Sequence, residues 1–427
     1  MILRNIYHFL HSVLENAITL VHIIHRKKEY YEKIKCIRGR RKDEPIRLLF
    51  LATYSDTWKY DSLCKHVEDN PHFHVTILVC PVVNKGRQHM LETMEKCYQD
   101  LSNKGFSPIM AYESNSDNYI TISSLNPDVV FFTNPYEGLI DSRYYLTNVH
   151  NILPCYVNYA YNIMNEKYFC GTEFHNVIWR YFCESLQIKS VVKKLSLNRA
   201  CNSFVSGYPM YDIFVNGKPT TWPWKIKDKQ IKRVIIAPHH SFLREDTIHF
   251  SNFLLYANTL LEVTEKYKDC IQFAFKPHPL LKQKLYSLPE WGQEKTDRYF
   301  HEWESRENTT CVYGDYVDLF LTSDALIHEC GSFTIEYLYT LKPVLHMSPH
   351  TFLDQINCVA KKAYDCHYVG SNISDIDFFL KEVVIGSKDE KYHDRLSFFE
   401  QHLSPPTGTS VAESMVEIIM NGIYNNG

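Results

Sequence analysis

The chain contains no run of 18 uninterrupted apolar residues, and its N-terminus lacks a compact apolar core followed by a small-residue cleavage site. The first absence argues against a membrane-spanning helix, the second against a signal peptide. There is no Cys-x-x-Cys pair either. The 13 cysteines are odd in number and scattered singly, which speaks against a disulfide framework and a structural zinc site. Reduced thiols in a cytosolic protein are expected. No short repeat or low-complexity tract is present. A net charge of −3 gives no overall attraction to nucleic acid, and none is expected as a partner. No Asp-x-Asp stands at the end of a strand-like run, so neither a metal ion nor a cofactor is expected.

What is present is a well-packed globular composition, 45% hydrophobic and 14% aromatic. At 427 residues, two domains are the default. Charge is unevenly spread: residues 1–42 carry ten Lys/Arg against three Glu. Residues 2–25 read as an amphipathic helix, with Ile2, Ile6, Phe9, Leu10, Val13, Leu14, Ala17, Leu20, Val21 and Ile24 at three- and four-residue spacing. Arg4, His8, His11, Glu15 and His22 make it too polar for a span. The basic run Arg26-Lys27-Lys28 to Arg40-Arg41-Lys42 follows. An apolar face beside basic residues suits an anionic membrane surface through residues 2–42; a helix packed on its own protein has the same periodicity.

Buried-strand runs at 46–52, 75–80, 128–133 and 156–159 alternate with helical segments. That pattern means a parallel sheet. Residues 216–230, rich in Gly, Pro and Lys, read as a linker, after which the pattern restarts at 234–237, 271–275 and 325–327. Helices are expected over about 247–268, 315–322 and 411–423, the last after the loop Pro405-Pro406-Thr407-Gly408-Thr409-Ser410. The expected parts are an amphipathic helix and basic linker (1–44), a Rossmann-like domain (45–215), the linker (216–230), a second Rossmann-like domain (231–404) and a C-terminal helix (405–427).

The strand ends of the second domain carry the chemistry. Ser323 to Met347 reads strand, small-residue turn, helix, strand, with His328-Glu329-Cys330-Gly331-Ser332 as the turn. Such a turn presents backbone N–H groups and a helix N-terminus where phosphates bind. Gly331 would let backbone approach a phosphate. Ser332 or Thr334 would donate a hydroxyl while capping the helix, with Phe333 between them. Glu336 would accept from a ribose diol. Lys276-Pro277-His278-Pro279 places a proline-locked His just past a strand, able to donate to a diphosphate or work as acid/base. His239-His240, after Pro238, holds the equivalent place one strand earlier.

Four segments in this order resemble the teichoic-acid glycerophosphotransferase family, enzymes that use CDP-glycerol, and the related CDP-ribitol enzymes. Ser206-Gly207-Tyr208-Pro209-Met210-Tyr211-Asp212 is similar to its Gly-Tyr-Pro-Arg-Asn-Asp. Ile236-Ala237-Pro238-His239-His240 is similar to its Tyr-Ala-Pro-Thr-Tyr, and Phe275-Lys276-Pro277-His278-Pro279 to its Leu-Arg-x-His-Pro. Ser323-Asp324-Ala325-Leu326-Ile327 with Glu329, Gly331, Ser332, Glu336 and Lys342-Pro343 is similar to its Ser-Asp-x-Leu-Ile-x-Asp-Tyr-Ser-Ser block. The resemblance implies an α/β chain of two Rossmann-like domains facing a cleft (GT-B-like), with the nucleotide-activated donor in the second domain. It implies His278 and Glu329 as catalytic, His239, His240, Lys276, Gly331, Ser332, Phe333, Thr334 and Glu336 as donor-binding, and Asn158 and Tyr159 on the acceptor side. A cytoplasmic enzyme, peripheral at the inner membrane face and acting on a glycan or glycolipid acceptor, follows. The family's Trp-His-Gly-Thr-Pro, whose His is the expected base, should fall near 156–162, where this chain reads Tyr-Val-Asn-Tyr-Ala-Tyr-Asn. His150, His175, Asp56 and Glu137 are the candidate substitutes. A capsule transferase using CMP-linked acidic sugars, a sugar-nucleotide epimerase and a non-catalytic nucleotide-binding scaffold are the alternative readings.

Overall fold

The structure is a computed structural model. It describes residues 2–425 apart from 42, 244, 245, 247, 348, 350, 407 and 409, and side chains outside 2–9 and 12. The expectations for Ile2, Arg4, Ile6, His8, Phe9, Lys42, Thr247, Thr407 and Thr409 therefore lie outside the described residues.

The chain forms two compact units, residues 1–162, 166–212 and 405–427 in the first and 163–165 and 213–404 in the second. The first is built on β1 (Ile46–Ala52), β2 (Phe73–Val79), β3 (Ile109–Met110), a small antiparallel pair β4 (Tyr112–Glu113) and β5 (Asn118–Tyr119), then β6 (Val129–Phe132), β7 (Leu153–Val157), β8 (Arg180–Cys183) and β9 (Ser203–Val205). Its main sheet has the order β3-β2-β1-β6-β7-β8-β9, every pair parallel. Leu48 to Ala52 are all buried because helices cover both faces, which is why β1 reads as a continuous apolar run. Phe50 and Phe131 stack across neighbouring strands with centroids 4.7 Å apart.

The second unit has β10 (Lys232–Ala237), β11 (Ile271–Phe275), β12 (Thr309–Cys311), β13 (Ala325–His328), β14 (Val344–His346) and β15 (Tyr368–Val369). Its order is β12-β11-β10-β13-β14-β15, all parallel. This is the doubly wound 3-2-1-4-5-6 arrangement, and its topological switch point lies between β10 and β13, where ligands bind outside the carboxyl edge. The first sheet reverses in the same way between β1 and β6.

The N-terminal helix runs Ile2–Arg38, well beyond residue 25. Its inward face is Thr19, Ile23, Arg26, Tyr30, Lys33 and Ile37, all buried at helical spacing. Tyr30 donates to the Val177 carbonyl (2.6 Å), and Arg26 to those of Leu146 (2.6 Å) and Val149 (2.8 Å). The expected apolar face lies the other way: Leu10, Val13, Leu14, Leu20, Val21 and Ile24 are exposed. Part of the basic run is structural. Lys33, Arg40 and Arg47 surround the fully buried Asp128 at 3.0, 2.6 and 3.1 Å and hold its carboxyl well below the usual range despite burial. Among the described residues no helix is long and apolar enough to cross a membrane.

The C-terminal helix, Val411–Tyr424, packs in the first unit. Asp212 accepts from the backbone N–H of Val411 (2.9 Å) and Ala412 (3.0 Å), satisfying orphan donors of its first turn. The Gly-Tyr-Pro segment just before it takes a left-handed turn at Gly207 (φ +91°), which a side chain would strain. The shared Gly and Asp thus close the first unit around its last helix.

Candidate functional site

The loops after β10, β11 and β13 converge at the switch point of the second unit. β10 pairs β11 on one side and β13 on the other, so His239-His240, Lys276–Pro279 and Glu329–Ser332 leave neighbouring strands at one edge. The His278 N–H donates to the Pro238 carbonyl (3.1 Å), tying the first two loops together. The three imidazoles form one cluster, with ring centroids 4.4 Å (239 to 240), 4.6 Å (239 to 278) and 4.1 Å (240 to 278) apart.

Their hydrogen bonds assign tautomers. The Phe250 N–H donates to Ser241 Oγ (3.1 Å), which lies 2.7 Å from His239 Nδ1, and the Ser241 N–H also donates to that nitrogen. The Leu280 N–H donates to His278 Nδ1 (3.2 Å). Nδ1 is therefore the lone-pair nitrogen in both rings, and each neutral ring carries its proton on Nε2. Burial lowers all three pKa values, to about 4 for His240 and about 3 for His278, with repulsion from His240 and Lys276 adding to the latter. Near neutral pH the cluster presents uncharged N–H donors. Its potential ligand atoms lie within 4.8 Å of one another, close enough to share a metal ion. With the Nδ1 lone pairs of His239 and His278 already spent on N–H donors, the donor set fits an oxyanion better than a cation.

Glu329 does not stand where a catalytic group would. It is fully buried and saturated, accepting from the N–H of His239 (3.1 Å) and Asn252 (2.5 Å) and from Ser251 Oγ (2.6 Å). Burial outweighs these bonds and pushes its carboxyl up to about 7. It positions the loop that carries His239. Lys276 is buried beside His278, and Lys284, paired with Asp246, adds positive charge near His239 and His240.

The turn at 331–332 also differs from expectation. A Cβ on Gly331 would meet Ile163 Cδ1 at 2.8 Å and Phe250 Cε2 at 2.9 Å, so this glycine is required by side-chain packing. Ser332 makes no cap bond, and the helix it opens, Phe333–Glu336, is only four residues long before a 3₁₀ turn. Its macrodipole is correspondingly small. Phe333 packs between Tyr316 and Phe320, Thr334 Oγ1 returns to the Cys330 carbonyl (3.4 Å), and Glu336 is buried and accepts from Tyr316. Of this turn only Ser332 is partly open to solvent, and Glu336 is not available to a ribose in this arrangement.

In the first unit, Asn158 is buried and bonded to Glu184 (2.9 Å), while Tyr159 packs edge-on to Tyr136. His175 is buried among Phe174, Tyr156 and Tyr181, which lowers its pKa to about 3 and removes it as a base. His150 is exposed and paired with Glu29 (3.0 Å); Asp56 and Glu137 are exposed. A cavity of about 600 Å³ lies between the N-terminal helix and the loops after β6 and β7, with Tyr136, Tyr168 and the pair His22–Glu173 (2.6 Å) on its wall. The supports of the histidine cluster, Ser241, Phe250, Ser251 and Asn252, carry no sequence signal of their own.

Two Rossmann-like parallel sheets, with the candidate site of the second at its switch point, give the chain a GT-B-like fold. Residues 182–401, about half of the chain, match the family described as CDP-Glycerol:Poly(glycerophosphate) glycerophosphotransferase. The chain belongs to that family and is a GT-B-type glycerophosphotransferase. Among solved structures it is similar to the wall teichoic acid polymerase TagF at 12% identity, covering 94% of this chain and 99% of that one with a TM-score of 0.54. A putative UDP-N-acetylglucosamine 2-epimerase from Listeria monocytogenes is comparably similar, at 14% identity, 90% and 97% coverage and a TM-score of 0.55. So is the UDP-GlcNAc 2-epimerase from Neisseria meningitidis, at 13% identity, 88% and 100% coverage and a TM-score of 0.53. These likenesses concern the fold. No curated protein sequence matches the chain.

Proposed function

We propose that the protein transfers a polyol phosphate from a cytidine diphosphate-linked donor, CDP-glycerol or a close relative, to a hydroxyl of a cell-surface glycopolymer, at the inner face of the membrane and without a metal ion. The observation that carries the donor half is the cluster of His239, His240 and His278 at the switch point of the second sheet. Neutral Nε2–H donors beside Lys276 suit a diphosphate: they bind its oxygens without the cost of gathering three imidazolium charges. The acceptor oxygen attacks the β-phosphorus, its bond to the bridging oxygen breaks, and CMP leaves. As charge grows on the bridging oxygen, the histidine N–H groups and Lys276 stabilise it, so His278 acts on the reacting phosphates and Glu329 positions His239.

The test is His278→Ala, assayed in EDTA-containing buffer with CDP-glycerol. Turnover should fall by about 10²–10³-fold with the fold retained, the usual loss for one preorganised donor. The wild type should be stabilised thermally by CDP-glycerol, and the variant much less. Full activity of the variant would sink the assignment. Stabilisation by UDP-GlcNAc in place of CDP-glycerol would favour the epimerase reading, and stabilisation by CMP-sialic acid the acidic-sugar one.

A further inference from the structure

A second cavity of the first unit, of about 520 Å³, lies at the amino edge of its sheet. Its wall is formed by the C-terminal half of the N-terminal helix, by Trp179 and Arg180 at the start of β8, by Cys201 and Asn202 just before β9, and by Gly422 of the C-terminal helix. Four cationic side chains line it, Lys27, Lys35, Arg38 and Arg180, and among the described residues no carboxylate does. Two of the four are fixed in place. Arg180 is buried, its guanidinium 4.5 Å from the centre of the Trp179 ring and 4.2 Å from that of Phe204. Gly422 makes room for it: a Cβ there would run into Arg180 Nη2 and meet Trp179 Cζ2 at 2.7 Å. Arg38 Nε donates to the Ile423 carbonyl, which covers one of the last acceptors of the C-terminal helix. Lys27 and Lys35 are exposed, unlike Lys33, whose charge Asp128 takes. Four cations around one cavity repel one another, and an anion between them relieves that repulsion.

The same helix indicates what kind of anion. Val13, Leu20 and Ile24 stand seven and four residues apart and lead, three residues on, to Lys27, Lys35 and Arg38. At that spacing they share one stripe of the helix, apolar in its first half and cationic in its second. Val13, Leu20 and Ile24 are all exposed. Val13 to Ile24 spans about 16 Å of helix, close to the acyl depth of one bilayer leaflet, half of about 30 Å. We propose that the cavity holds the headgroup phosphate of an anionic phospholipid, with an acyl chain laid along Val13, Leu20 and Ile24. Guanidinium groups suit phosphate oxygens because they offer paired N–H donors in a fixed fork. Tyr31, exposed at the rim, puts an aromatic ring at headgroup level, where such rings prefer to sit. This is a site for one lipid molecule, distinct from adsorption to a charged surface, because Arg38 and Arg180 are placed by the protein's own contacts. It lies wholly within the first unit and does not rest on the transferase reading.

The test uses thiols as reporters. Cys201 is exposed on the cavity wall, while Cys36 and Cys358 are exposed away from it. The full chain is alkylated with iodoacetamide in the presence of dihexanoylphosphatidylglycerol, kept below its micelle concentration, and labelling is read for each cysteine by mass spectrometry. Labelling of Cys201 should slow severalfold as the lipid saturates, with Cys36 and Cys358 keeping their rates. Lys27→Gln combined with Lys35→Gln should raise the lipid concentration needed by about 30-fold, about fivefold for each cation lost beside an anionic lipid, and keep the unfolding midpoint. Ile24→Ser should weaken protection without changing its salt dependence. Unslowed labelling of Cys201 in the wild type overturns the site. Equal protection by dihexanoylphosphatidylcholine overturns the anionic headgroup, and equal protection by inorganic phosphate or glycerol 3-phosphate overturns the lipid. Protection of K27Q/K35Q at wild-type concentrations puts the lipid elsewhere and overturns the assignment. None of these readouts involves turnover, so a failure of the transferase reading leaves them unchanged.

Discussion

At the scale of single residues, the second unit is dominated by histidines kept neutral. Besides the cluster at the switch point there is a second, His328, His346 and His367, fully buried with centroids 4.7, 5.4 and 5.7 Å apart. His328 Nδ1 donates to the Cys330 carbonyl (3.1 Å) and His367 Nε2 to that of Thr334 (3.0 Å), so this cluster props the turn from beneath. Burial depresses each pKa, to about 3 for His328. An unfolded histidine takes up its proton near pH 6.5, and these do so only far below that. The stabilisation from His240, His278 and His328 is complete above about 6.5 and is lost as the pH falls toward 3–4, at about 1.4 kcal/mol per pH unit for each of these histidines, and His346 and His367 act in the same direction. Glu329 works in the opposite sense: its raised carboxyl favours the fold below its unfolded value, and this contribution is lost as the pH rises through about 7. Denaturant unfolding should therefore show a steep loss between pH 6.5 and 5, made shallower in His328→Gln once its lower starting stability is subtracted. Equal stability of the wild type at pH 7 and pH 5 would contradict the neutral-histidine assignment.

At the scale of elements, the N-terminal helix is joined to the first sheet by one buried carboxylate. Asp128 opens β6 and gathers Lys33 from the helix, Arg40 from just beyond it and Arg47 from β1. Asp128→Asn would leave three cations sharing a neutral amide. A loss of about 3–5 kcal/mol is expected, the usual result of removing one partner from a buried ion group; a change below 1 kcal/mol in urea unfolding would mean that the cations find other partners. This junction explains what could be read in advance. The parallel strands announced themselves as apolar runs because both faces are buried, and His239, His240 and His278 stood out because prolines mark those strand ends. The helix's inward face was hidden, because Arg26 and Lys33 bury their stems while carbonyls and Asp128 take their charged ends. Those partners lie some 90 to 120 residues away in sequence. Glu184 and Ser251 were hidden for the same reason: what singles them out is a neighbour on another strand or loop.

At the scale of the whole molecule, the N-terminal helix leaves an exposed apolar row on an otherwise ordinary surface. Leu14, Val21 and Ile24 are 61%, 63% and 72% exposed, and Lys27, Lys28 and Lys35 follow on the same helix. Apolar side chains followed by ammonium groups match the interface of an anionic bilayer, where each buried CH₂ contributes about 0.8 kcal/mol and each cation about 1 kcal/mol. Deleting residues 1–42 would not test this cleanly, since Tyr30, Lys33 and Ile37 belong to the first unit's interior. Replacing Leu14 and Val21 by Glu alters only the outward face. The wild type should float with phosphatidylglycerol vesicles, bind less in 0.5 M salt as screening shortens the reach of the lysines, and bind phosphatidylcholine poorly. The double variant should remain in the supernatant while keeping its unfolding midpoint and its response to CDP-glycerol. Equal binding to both lipids would remove the electrostatic part. A wild type that ignores both but dimerises through this row, with the dimer lost in the double variant, would make the helix an interface between two copies of the chain.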